Sequence, residues 1–101
     1  MASYFKQPIY RSEAWLRAVA SLPCQRCGCE NRTQAAHRNL GKGLGLKVDD
    51  CLTAALCFDC HTAMDSGLTW TRQERREQLD AAVLKTLVQL ARLGLVVPKK
   101  S

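Results

Sequence analysis

Four of the chain's six cysteines fall in two Cys-x-x-Cys pairs, Cys24/Cys27 and Cys57/Cys60. A turn of that spacing brings two thiolates onto one ion, and two such turns supply the four sulfurs of a tetrahedral zinc site. His37 lies in the long insertion between the pairs, His61 directly follows Cys60, and Asp65 stands four residues beyond it. Gly28, just after the first pair, suits the tight turn of a zinc knuckle. A thioredoxin-like redox site would need a single Cys-x-x-Cys beside a βαβ pattern, which is missing. Three disulfides would suit an exported chain, but the leading MASYFKQPIYRSEAW carries no apolar run of the secretory kind. The expectation is a reducing, cytoplasmic setting in which Cys24, Cys27, Cys57 and Cys60 hold structural zinc. Cys29 and Cys51 read as ordinary thiols, Cys51 as a buried one.

His61 and Asp65 are four apart on a predicted helix and so leave it from one face. An imidazole and a carboxylate at that spacing can share a divalent cation, Mg2+, Mn2+ or Zn2+, with positions left for water. His37 would face the same point if the strand that carries it packs on that helix. The matching chemistry is phosphodiester hydrolysis, with the cation on a phosphate oxygen and the leaving oxygen. A neutral His37 would take a proton from the attacking water. The spacing equally fits His61 as a supporting residue of the second knuckle. With 15 Lys and Arg against 9 Asp and Glu, the net charge of +6 suits a polyanionic partner, nucleic acid being the usual one. Arg26, Arg32, Arg38, Lys42 and Lys47 lie in the same stretch, either to hold flanking phosphates or as a solvated basic face.

The elements that must position these residues follow from pattern. Ser12 can cap a helix over 13–21 that Pro23 ends, with Trp15 in the core. Residues 33–37 read as a strand and 52–56 as its returning partner. Between them, Gly41, Gly43 and Gly45 make a loop without the P-loop spacing. It is either a plain connection or a phosphate-approaching loop carrying Lys42 and Lys47. A second helix starts inside the second knuckle and runs to about Ser66, where Gly67 stops it. Thr71 to Glu74 forms a capping-box pattern for a long helix over about 71–93, with Gly94 beyond its end. Its stripe of Leu79, Val83, Leu87 and Leu90 reads as core or, in the lesser reading, as a homodimer seam. No stretch is apolar for long enough to span a membrane as a helix. The fold class is α+β, in one domain over 1–101.

The segment resembles the HNH nucleases, also called ββα-metal or His-Me finger enzymes. It is most similar to small phage and prophage proteins of the YbcO-like type, and distantly to the phage recombination nuclease Ref. The resemblance rests on Cys24-x-x-Cys27, Ala36-His37, Gly41-Lys42-Gly43, Lys47, Asp49-Asp50, Cys57-x-x-Cys60-His61 and Asp65. It implies a zinc-stapled, treble-clef-like ββα core over about 24–67, between an N-terminal helix and the long C-terminal helix. It implies His37 as general base, Asp49 or Asp50 as the residue orienting it, and His61 with Asp65 as ligands of a catalytic cation. It implies a DNA endonuclease of phage or prophage origin, acting in recombination, replication or packaging inside a bacterial host. A non-catalytic zinc-stabilised module binding DNA or protein is the alternative. One departure is plain: Ala36 stands where many members carry an Asp or His ligand.

Overall fold

Ser12 starts the first helix as its position predicts, its hydroxyl accepting the backbone N–H of Trp15 at 3.1 Å. The computed structural model describes residues 9–38, 48–66 and 70–99. Within them the order is α1 (Glu13–Ala20), β1 (Thr33–His37), β2 (Thr53–Cys57), α2 (Phe58–Ser66) and α3 (Arg72–Arg92). The described residues are thus α+β, with one antiparallel pair of strands and three helices among them. The glycine-rich loop with Lys42 and Lys47 lies outside the described residues, as does the proposed stop at Gly67.

β1 pairs with β2 in the register Gln34↔Leu56, Ala35↔Ala55, Ala36↔Ala54 and His37↔Thr53. Successive side chains on a strand point to opposite faces, so this register sorts the hairpin into two sides. Ala36, Ala54 and Leu56 pack on one side with Met64 of α2 and Leu79, Ala82 and Val83 of α3. Ala35 and Ala55 pack on the other with Val19 of α1, with Leu22 just beyond that helix, and with Leu90 near the end of α3. Trp15 is partly buried against that second side, at its margin. β2 begins at Thr53 rather than Leu52 because residues 50–52 are still turning: Leu52 N–H reaches Asp49 O, and Thr53 Oγ1 donates to Asp50 O. Cys51 sits in that turn and is half-buried, not buried as its sequence position suggested.

α3 holds both its ends by local chemistry. Thr71 Oγ1 accepts from Glu74 N at 3.1 Å, and Glu74 Oε1 accepts from Thr71 N at 2.8 Å. At the other end Gly94 takes φ 71°, and Leu95 N–H closes onto Leu90 O at 2.9 Å. Between them α3 runs past the free edge of β2, with Leu79 and Val83 serving one side of the hairpin and Leu90 the other. Thr86 is the crossing point. Its hydroxyl accepts the outward N–H of Ala55 at 2.9 Å and donates to Ala82 O at 2.7 Å. The carbonyl of Ala55 is taken by Gln25 N at 2.8 Å, so that edge residue is satisfied on both counts. The stripe of Leu79, Val83 and Leu90 is therefore core, with Leu87 partly buried beside it. Any pairing of copies through α3 would have to use its outer side, where Leu84 and Val88 are exposed.

Replacing Thr86 with Val keeps the shape and removes the acceptor, leaving the Ala55 N–H buried and unpaired. Urea denaturation of T86V should show a loss of about 1–3 kcal/mol. A loss indistinguishable from zero would mean that β2 does not depend on α3 for this bond.

Candidate metal centre and histidine sites

The first knuckle is built by backbone N–H groups turning toward sulfur. Arg26 N and Cys27 N approach Cys24 Sγ at 3.4 and 3.5 Å, and Gly28 at φ 82° closes the turn with a bond to Cys24 O. The left-handed φ is one that glycine adopts without penalty. The second knuckle joins β2 to α2 directly: Cys57 is the last residue of the strand, and Cys60 N donates toward its sulfur at 3.5 Å.

The four sulfurs of Cys24, Cys27, Cys57 and Cys60 all lie within 4.8 Å of one another. Cys27 Sγ and Cys57 Sγ are 3.7 Å apart, far too long for a disulfide. Tetrahedral sulfurs at ~2.3 Å from zinc are ~3.8 Å from each other, so the cluster has the size that such an ion needs. Cys24, Cys57 and Cys60 are buried and Cys27 is exposed. Their acidities separate. Burial opposes ionisation of Cys24, but backbone N–H groups of Cys27, Cys57 and Arg26 outweigh it and hold the thiol at about 6. Burial pushes Cys60 up to about 12; the Arg26 guanidinium works against this, and the crowding thiols, Cys57 first, add to it. Four thiolates can share this space only around a cation. Cys29 joins through its backbone, its carbonyl accepting Cys24 N–H at 2.9 Å, and remains outside the sulfur cluster.

The histidines form two separate pairs. His37 Nε2 is 2.9 Å from Asp50 Oδ1. Asp50 is buried and takes two further donors, Ser12 N at 2.7 Å on Oδ2 and Arg11 Nη1 at 3.1 Å on Oδ1. The bond to His37 first, then the Ser12 N–H, and lastly Arg11 pull its carboxyl below the ordinary carboxylate value, against the effect of burial. Asp49 instead accepts Tyr10 N at 3.0 Å, which separates the roles of the two neighbouring aspartates. His61 Nδ1 meets Gln34 Oε1 at 2.8 Å, and its Nε2 lies 3.4 Å from Asp65 Oδ2.

Strand parity keeps these pairs apart. Gln34 and Ala36 share the α2 side of β1, whereas His37 belongs to the α1 side. Among the described residues no third ligand, His37 included, joins His61 and Asp65 in one group. Arg11 and Ser12 are the site residues that sequence reading missed. They reach Asp50 across 39 and 38 positions, and no local pattern announces such a contact.

The arginines read as phosphate contacts have internal partners. Arg26 stacks 4.5 Å over the Trp70 ring and donates toward Cys60 Sγ at 3.5 Å. Arg32 lies 3.7 Å from Asp59, with both side chains largely exposed. Arg38 forms a two-point pair with Asp80, its Nε on Oδ1 and its Nη2 on Oδ2, the latter at 3.2 Å. That pairing raises the Arg38 basicity further. Lys42 and Lys47 lie outside the described residues. No described helix is long and apolar enough to cross a membrane. No family model, curated protein or solved structure matches the chain.

Two expectations follow. Metal analysis should find one tightly held ion per chain, and a strong chelator should collapse the far-UV CD signal. A metal-free protein that stays folded would refute the cluster as a metal site. Asp50 stabilises the fold above the ordinary carboxylate value of 3.8 and loses that contribution as pH falls through its lower folded value. Urea stabilities measured stepwise down in pH should therefore fall more steeply below 3.8 in wild type than in D50N. Parallel slopes would show that the carboxylate is not held by these donors.

Proposed function

We propose that the chain is a metal-dependent DNA endonuclease of phage or prophage origin, zinc-stapled through Cys24, Cys27, Cys57 and Cys60. In this reading it folds as the treble-clef-like ββα-metal core and acts in recombination, replication or packaging within the bacterial cytoplasm. The observation that carries the proposal is the 2.9 Å contact of His37 Nε2 with Asp50 Oδ1. An ionised carboxylate only accepts, so Nε2 is the nitrogen that carries the proton, and when the imidazole is neutral Nδ1 is left as the proton acceptor. His37 is about one-third exposed, which leaves that acceptor within reach of water. Nδ1 takes the proton as the water oxygen bonds to phosphorus and the P–O bond to the leaving oxygen breaks. Asp50 holds the ring in place and stabilises the imidazolium that forms.

His61 and Asp65 are the residues that would hold a catalytic Mg2+, Mn2+ or Zn2+. Such a pair suits an ion completed by water and substrate phosphate, as Mg2+ sites commonly are. When bound, the cation supplies charge neutralisation at the phosphate and the leaving oxygen. Arg26 and Arg32, with Lys42 and Lys47, would supply positive charge for DNA phosphates, Arg38 being neutralised by Asp80, and the net charge of +6 supports that partner.

One observation favours a second reading, a non-catalytic module that binds DNA or protein. Ala36, at the position of a usual ligand, is buried in the core, where it offers no atom to a cation. Incubation with supercoiled, linear, single-stranded and branched DNA in Mg2+, Mn2+ or Ni2+ separates the two. The nuclease reading expects cleavage that drops by about 100- to 10,000-fold in H37A. Wild type that cuts none of these forms, yet binds DNA in a salt-sensitive way that survives H37A, selects the binding module.

A further inference from the structure

We propose that Arg11 is a positioning residue of the His37 site, fixing Asp50 so that the imidazole keeps its Nε2–H toward the carboxylate and its Nδ1 bare. The inference rests on the reading of His37 as the base. Its grounds are geometric. Arg11 Nη1 and His37 Nε2 share one acceptor atom, Asp50 Oδ1, at 3.1 and 2.9 Å. The other carboxylate oxygen is held by Ser12 N at 2.7 Å. Arg11 thus adds a third, charged donor beside the imidazole, and the carboxylate is held against turning about its Cβ–Cγ bond more firmly than by the other two donors alone. Arg11 also occupies the remaining lone pair on Oδ1, where a water would otherwise compete with the imidazole.

The side chain is not what attaches the N-terminal segment to the hairpin. That job is done by backbone groups: Tyr10 N on Asp49 Oδ1 at 3.0 Å, Asp50 N on Tyr10 O at 2.9 Å, and Ser12 N on Asp50 Oδ2. None of the three uses the Arg11 guanidinium. The guanidinium is about half exposed, so water can take over part of its contact with the buried carboxylate when it is removed. What a charged fork at this place does is orient. Arg11 supplies the third donor on the orienting carboxylate, and it reaches there from outside the Cys24–Asp65 stretch that carries the other candidate residues.

The test compares R11Q and R11K with wild type in two measurements. The first follows the His37 imidazole by 15N-edited NMR, reading which nitrogen carries the proton and how fast that proton exchanges with water. Wild type should show an Nε2–H signal protected by Asp50, and R11Q should exchange it about tenfold faster, with R11K in between. The second is DNA cleavage, where R11Q should lose about 10- to 100-fold in kcat with KM nearly unchanged, and R11K should recover part of the loss. Thermal melts confirm that the variants fold, and should R11Q fail to fold, R11K alone carries the comparison because it keeps a cation without the planar fork. A folded variant with wild-type imidazole exchange and wild-type kcat overturns the proposal. If wild type cuts no DNA, the nuclease reading falls by itself, and unchanged imidazole exchange in the variants would then separately overturn the role given to Arg11.

Discussion

Four sulfur atoms within 4.8 Å of one another tie together parts of the chain that have little else to hold them. A pair of five-residue strands is at best marginal in water without a packed face. Here the strand-to-helix bend has no linker at all: β2 ends at Cys57 and α2 begins at Phe58. Cys57 Sγ receives the Cys60 N–H, so the sulfur acts as the acceptor that a capping oxygen would supply at the start of another helix. The first knuckle meets it from the far side, and its Gln25 N–H simultaneously closes the edge of β2 at Ala55. Fixing the sulfurs thus fixes the hairpin base, the start of α2 and part of a strand edge together.

The hairpin then needs cover on two sides, and α3 provides some of each. A helix of 21 residues is long enough to pass the edge of β2 and pack beyond it. Its apolar stripe is interrupted by Thr86 at the one turn that faces backbone instead of side chains, and that is where a hydroxyl is required. An apolar residue there would extend the stripe and strand the Ala55 N–H. The same threonine pays its own donor back into the helix at Ala82 O, which leaves neither group unpaired.

What was legible in the sequence was what local spacing encodes. The Cys-x-x-Cys pairs announced the sulfur cluster, Ser12 and Thr71 announced helix starts, and the period of Leu79, Val83 and Leu90 announced a buried face. The histidine surroundings were legible only in part. A choice between Asp49 and Asp50 depends on which way a turn points two adjacent carboxylates, and periodicity says nothing about that. The turn sends Asp50 inward to His37 and Asp49 to the Tyr10 N–H. The arrival of Arg11 depends on an irregular segment docking across the hairpin, a long-range event with no signature in composition. The arginines were legible as charge but not as partners: Arg38 is taken by Asp80 from α3, and Arg26 by a ring and a sulfur.

The separation of His37 from His61 follows from a single strand parity, and Ala36 shows why it matters. Position 36 shares its side of β1 with Gln34, the residue that touches His61. A longer side chain at 36 would therefore project on the side that also carries the His61 and Asp65 pair, next to His37 on the adjoining side. An alanine there instead spends the position on packing, buried with Leu56, Met64 and Val83. The core gains a filled contact there, while the pairing of His37 draws on Asp50 and the N-terminal segment and does not depend on position 36.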